Sequence, residues 1–263
     1  MKNHYLWGMQ NSITFLGTGT SQGIPLIGCH CEVCDSTDPR DKRLRSSALI
    51  EYKGIRVVID AGPDFRQQML REDIRDLDAI ILTHPHKDHT GGLDDVRAFN
   101  YITGKNMPIY CEPNVLESLK MEYSYAFREH KYPGVPEFEV HTIGTEPFTI
   151  NGVEIVPVRA MHYKLPVLGY RFGKLGYLTD ANYISDQEIE KFRGVDVFVI
   201  NTIRREKHIS HFSLDEALDV ARRVGARHTY LTHLSHQIEK HSELTLFLPD
   251  GVSPAYDTLK VKF

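Results

Sequence analysis

Four side chains able to bind a metal ion fall within six residues, His84-Pro-His-Lys-Asp-His89. They directly follow Ala79-Ile-Ile-Leu82, a short and wholly apolar run that reads as a buried strand ending at Thr83. A strand end that opens into a loop delivers side chains to the rim of a sheet, where function concentrates. His84 and His86 are two residues apart and face the same way while the chain stays extended. Neutral imidazoles and carboxylates are the donors expected for zinc, manganese or iron. The chain holds 14 histidines, so some clustering arises by chance, and the case depends on whether further donors follow in order.

They do. Ala160-Met-His162, Leu178-Thr-Asp180 and Leu231-Thr-His233 each repeat the grammar of an apolar run followed at once by a ligand-type residue. A lone histidine such as His162 is more often structural than a ligand, but chance explains the ordered set poorly. This H-x-H-x-D-H motif and its followers resemble the metallo-β-lactamase superfamily. The resemblance implies an α/β fold, a four-layer αββα sandwich, spanning residues 1–263 as a single domain. It also implies two divalent ions, zinc or manganese with iron as a third option. One would be held by His84, His86 and His162, the other by Asp88, His89 and His233, with Asp180 shared. Sharing a carboxylate and a bridging hydroxide offsets the repulsion of cations held ~3.5–4 Å apart. Asp88 counts among both ligands and catalytic residues. Asp60, in Ile59-Asp60-Ala-Gly62, matches the family's early aspartate and is expected to orient a ligand or the loop backbone. A plain turn carboxylate is the alternative.

Gly28-Cys-His-Cys-Glu-Val-Cys34 carries C-x-C-x-x-C, inside a cysteine-rich loop at about 28–36. The N-terminus, Met-Lys-Asn-His-Tyr-Leu-Trp-Gly-Met-Gln10, lacks the apolar core of a secretory leader, and no apolar stretch reaches membrane-span length. A cytoplasmic location is therefore expected, where cysteines seldom form structural disulfides. The spacing points instead to a closed tetrahedral zinc. Its fourth ligand is missing locally. His236 is the first choice and would tie the cysteine loop to the strand end carrying His233. His30 is the rival, awkwardly placed between Cys29 and Cys31. A metal-free reduced cluster or a redox centre are the alternatives. Cys111 reads as a small core residue. The cysteine loop, with Thr232-His233-Leu-Ser-His236 late in the chain, is similar to the PhnP-like branch of the superfamily. Its members are phosphodiesterases that open cyclic ribose phosphates. The resemblance runs from about Ile13 to His236.

That branch implies hydrolysis of a small phosphodiester, cyclic ones included, by the metal-bridging hydroxide. His211, in Ser210-His211-Phe-Ser213, matches the family's additional histidine. It is expected to bind phosphate and protonate the leaving oxygen, with His208 a weaker candidate. Ser213-Leu-Asp-Glu216 fits a capping box, so a helix N-terminus beside His211 would add partial positive charge. Gly17 to Gly23 lacks the lysine of a phosphate-binding P-loop and reads as backbone packing. Asp94 and Asp95 read as helix N-terminal carboxylates.

Rival readings are a transfer-RNA 3′-processing nuclease, a thioester or lactone hydrolase, and a non-catalytic metal-binding module. The nuclease needs a basic arm, and a net charge of −4 speaks against long nucleic acid as partner. The complete ligand set speaks against the non-catalytic module. No membrane partner is expected; a homodimer is. Locally, Lys53-Gly54 and Asn151-Gly152 predict hairpins. Helices are predicted from near Pro63 to Glu72, Asp94 to Tyr101, Val115 to Phe127, and Ser213 to Val224.

Overall fold

The computed structural model describes residues 11–263. The reading of residues 1–10 as lacking a leader lies outside the described residues. Among the described residues, no helix is long and apolar enough to cross a membrane.

The first sheet takes its strands mainly from the N-terminal half. They are β1 (Ser12–Gly17), β2 (Ser47–Tyr52), β3 (Ile55–Ile59), β4 (Ala79–Ile81), β5 (Met107–Cys111) and β6 (Phe138–Thr142), closed by β14 (Lys260–Lys262). The second contains β7 (Phe148–Ile150), β8 (Val153–His162), β9 (Leu165–Phe172), β10 (Leu175–Leu178), β11 (Val197–Asn201), β12 (His228–Thr232) and β13 (Val252–Pro254). Their orders are β14-β1-β2-β3-β4-β5-β6 and β13-β12-β11-β10-β9-β8-β7. Each sheet is antiparallel over its hairpins and parallel over β3-β4-β5-β6 or β10-β11-β12-β13.

Parallel neighbours need crossovers, and helices supply most of them. α1 (Phe65–Arg71) joins β3 to β4; α2 (Lys87–Thr90) and α3 (Arg97–Thr103) join β4 to β5; α4 (Pro113–Glu122) leads toward β6. In the second sheet the connectors are α5 (Asp186–Glu190), α6 (Leu214–Val224) and α7 (His241–Phe247).

Strands covered on both faces must be apolar at every position, and side-chain alternation shows the two coverings. Ile13, Ile50, Val57, Ile59, Tyr170 and Val199 meet between the sheets. Leu49, Val58 and Ile80 face α1, α3 and α4 through Phe65, Phe99 and Leu119. Phe198 and Ile200 face α5 and α6 through Ile189, Val220 and Val224. The result is the expected α/β sandwich, helices outside two mixed sheets.

Both predicted hairpin turns have positive φ at each central residue, 47° and 88° at Lys53-Gly54, 48° and 79° at Asn151-Gly152. The capping box also forms: Ser213 accepts from the Glu216 amide, and Glu216 accepts from the Ser213 amide. Two predicted helices are corrected. The one expected over Val115–Phe127 starts at Pro113, whose fixed φ suits a first helical position, and ends at Glu122. The one expected over Asp94–Tyr101 is a 3-10 turn, Leu93–Val96, running into α3. The short elements β6, β13, β14, α5 and α7 carry too little periodic pattern for sequence reading to find them.

Candidate metal centre

The parallel strands of both sheets end at one edge, where open α/β sheets bind ligands. Asp60 follows β3, Thr83-His84 follow β4, Asp180 follows β10 and His233 follows β12. Asp60, Asp180 and His233 have φ of 62°, 55° and 56°. A left-handed backbone costs a non-glycine residue ~1–2 kcal/mol. Several such residues at one edge are strain held in place by their surroundings, a mark of functional sites.

The motif stays extended through His86 and then forms the single turn of α2. That turn, not anticipated from sequence, swings Asp88 and His89 toward the second sheet. His84 Nε2 lies 3.1 Å from His86 Nδ1. The His162 ring centroid is 5.0 Å from that of His86 and 5.6 Å from that of His84. Asp180 reaches across. Its Oδ2 is 3.6 Å from His84 Nε2 and 3.1 Å from His89 Nε2, and its Oδ1 is 2.8 Å from His233 Nδ1. Two donor groups result: His84, His86, His162 and Asp180, and His89, Asp180 and His233. Within each, the donor atoms lie within 4.8 Å of one another. Asp180 belongs to both. Asp88 stands beside the second group, its Oδ2 3.2 Å from His89 Nε2. All are buried or half-buried except His86, which is exposed.

The charges suit cations. Burial would raise Asp180, but His233 and His89 outweigh it and hold the carboxyl well below the usual range. Burial, and then His89, push His84 well below an ordinary histidine, so its ring is neutral with a lone pair to offer. Burial alone would lower His89, yet Asp180, Asp60 and Asp88 raise it well above the ordinary value. Imidazole nitrogens and carboxylate oxygens, in two groups sharing one carboxylate, form a donor set that fits a pair of divalent ions.

Asp60 binds in neither group and supports both. Its Oδ2 is 2.6 Å from His89 Nδ1 and accepts from Thr83 Oγ1 at 2.8 Å, while Oδ1 accepts from the Thr83 amide at 2.8 Å. Thr83 Oγ1 is in turn 2.9 Å from His84 Nδ1. One carboxylate therefore holds a candidate ligand, His89, and the loop backbone at Thr83 together. Asp60→Asn is expected to weaken metal binding by about 10–100-fold in a chelator competition; unchanged affinity would contradict this role. His162 Nδ1 donates to Ser210 O at 2.7 Å. Ser46 Oγ donates to Gly19 O at 2.9 Å and lies 3.0 Å from His233 Nδ1. Sequence reading missed Ser46 and Thr83. Adjacency to His84 could have flagged Thr83; nothing local points to Ser46.

His211 sits over the site, its ring centroid 4.6 Å from His162 and 4.9 Å from His233. Burial is the main cause that pushes its pKa down to about 3, and Nδ1 has no partner among the described residues. His208 is further out, 5.1 Å from His211. Asp94 is committed elsewhere, accepting from Tyr125 Oη and pairing with Arg97.

The cysteine loop makes a separate cluster. Cys29 Sγ and Cys31 Sγ lie 3.3 Å and 3.5 Å from His236 Nδ1, and with Cys34 Sγ all four donors fall within 4.8 Å. His30 points outward, its side chain 86% exposed beside Asp35, so His236 and not its rival joins the thiols. Burial opposes ionisation of Cys31, but the Cys34 amide, His236 and Cys29 outweigh it and lower the thiol to about 6. Cys111 is buried apart, its thiol pushed up to about 12 by burial. All four cysteines are free.

Comparison with known proteins bears on the family and the fold. Residues 55–234 match the beta-lactamase superfamily domain. A diphosphatase of the PhnP family is 41% identical, with a TM-score of 0.90 over 97% of this chain and 98% of that one. An octanoyltransferase of Porphyromonas gingivalis is 42% identical over 93% of this chain and 50% of its own, so the chain spans half that relative's length. Zinc-bound PqqB from Methylobacterium extorquens shares the fold, at a TM-score of 0.77 and 16% identity over 96% of this chain and all of that one. The chain belongs to the metallo-β-lactamase superfamily and is PhnP-like.

Proposed function

We propose that the chain is a dinuclear-metal-dependent hydrolase of a small phosphodiester, cyclic ones included. The observation that carries this is Asp180, one carboxylate common to two donor groups at the strand ends. His84, His86 and His162 would hold one ion and Asp88, His89 and His233 the other, with Asp180 between them. Bound there, the two ions supply an activated water and positive charge for the phosphoryl oxygens. Asp60 and Thr83 keep the imidazoles aimed. His211 starts neutral, so its N–H first donates a hydrogen bond to a phosphoryl oxygen; the phosphate's negative charge then favours uptake of a second proton from solvent water, and the imidazolium passes one proton to the leaving oxygen and returns to the neutral ring.

Cys29, Cys31, Cys34 and His236 would close around one structural zinc. Cys31→Ser is expected to lose that ion and lower thermal stability. In the folded fraction that holds the metal pair, kcat should stay within about threefold of wild type, since a structural ion acts through folding. A large fall in kcat with unchanged melting temperature would contradict the assignment. Free thiols in this arrangement also support a cytoplasmic location.

A second reading, cleavage of a diphosphate bond, is favoured by the similarity to the PhnP-family diphosphatase. The test is turnover by metal-loaded protein of bis-p-nitrophenyl phosphate, a 2′,3′-cyclic nucleotide, a nucleoside diphosphate ester and an octanoyl thioester. Hydrolysis of the first two above the others supports the diesterase. Preference for the diphosphate moves the assignment to the second reading, and turnover of the thioester alone would overturn both.

A further inference from the structure

Of three neighbouring strands in the second sheet, β10 and β12 lead into Asp180 and His233. The strand between them, β11, ends in Asn201, which is fully buried and belongs to neither donor group. Its side-chain amide closes two hydrogen bonds on one residue. Oδ1 accepts from the Ala181 amide at 2.8 Å, and Nδ2 donates to the Ala181 carbonyl at 3.0 Å. Only that orientation of the amide satisfies both, because oxygen must face the N–H. Ala181 follows Asp180 and is itself fully buried, so its backbone groups need partners. The same Ala181 carbonyl accepts from the Phe212 amide at 2.8 Å, and Phe212 follows His211. Beyond Asn201, the Thr202 amide donates to Thr232 O at 2.9 Å, one residue before His233. Asp180 stands at φ 55°, a conformation that persists only where its surroundings fix it.

We infer that Asn201 is a positioning residue: its amide clamps Ala181 and so sets the Asp180 carboxylate between the two imidazole groups. This rests on reading the cluster as the holder of a metal pair. Asn201→Asp keeps an acceptor for the Ala181 amide but sets an oxygen against the Ala181 carbonyl. Asn201→Ala can make neither of the two bonds.

The test titrates purified, metal-loaded protein with a chelator and records the absorption spectrum of its cobalt-substituted form. Both variants are expected to release the paired ions about tenfold or more readily than wild type. Their ligand-field spectra should change, while the thiolate-bound ion stays. Unchanged affinity and spectrum in a folded variant, even one with a lower melting temperature, would overturn the inference. If neither variant folds, hydrogen exchange in the wild type decides. Strong protection of the Ala181 amide supports the clamp, and exchange at the rate of an open loop overturns it. Wild-type protein that binds no paired ions would sink the metal reading itself, leaving amide exchange to judge the clamp alone.

Discussion

Asp180→Ala is expected to remove the metal pair and cut kcat/KM on the preferred substrate by at least about 10³-fold, ~4 kcal/mol of transition-state stabilisation. The expectation follows from position. Among the described residues, Asp180 is the carboxylate common to both donor groups, 3.6 Å from His84 and 2.8 Å from His233. Its loss leaves facing imidazoles with no shared negative charge, and two cations close together require one. Asp180→Asn separates charge from shape. It keeps the side chain's volume but removes the charge, so it should also fail to hold both ions. Metal content and steady-state kinetics check both variants. Either variant retaining both ions and turning over within about tenfold of wild type would contradict the shared role.

Gly62→Ala should be nearly as damaging, although Gly62 touches no candidate ion. A Cβ built there would sit 2.0 Å from the Asp88 carbonyl oxygen, a backbone atom that cannot swing aside. The turn is fastened on the other side as well. The Ala61 amide donates to His89 O at 2.8 Å, and the Gly92 amide donates to Ala61 O at 2.9 Å. The added methyl must therefore push the Asp88–His89 turn out of place. Misplacing a reacting constellation by about 1 Å can cost about 10²-fold in rate, and overpacking costs about 1–3 kcal/mol of stability. Gly144, where nothing lies within 4 Å of a built Cβ, provides the control. Gly144→Ala should leave metal content and rate unchanged. A Gly62→Ala protein with full metal content and wild-type rate would refute the clamp on α2.

The ligand candidates were legible because His84, His162, Asp180 and His233 each stand at the end of an apolar run, and His86, Asp88 and His89 crowd behind the first of them; both are local patterns. Apolar periodicity on β3, β4, β10 and β12 marks the core, and the core's edge marks the site. The capping box and the two hairpins were legible for the same reason, since each is decided by two to four consecutive residues. The supporting groups were not. Ser46 meets His233 across 187 residues, and Asn201 meets Ala181 across 20. The first exists only once two sheets have stacked with their strand ends at one edge, and the second only once β10 and β11 have paired in parallel. Asp60 was half legible: its place after β3 pointed to a supporting role, but its joint hold on Thr83 and His89 depends on β3 and β4 pairing in parallel. The short turn of α2 inside the ligand motif was hidden because its four residues carry no helical periodicity. The choice of His236 over His30 became definite only when the fold set the end of β12 against the cysteine loop.

The most direct test is elemental analysis of protein purified from metal-supplemented cells, with wild type, Asp180→Ala and Cys31→Ser compared side by side. About three ions per chain in wild type are predicted, falling to about one in Asp180→Ala and about two in Cys31→Ser. A wild-type chain that carries one ion or none, or an Asp180→Ala chain that keeps its full complement, would contradict a metal pair built around that carboxylate.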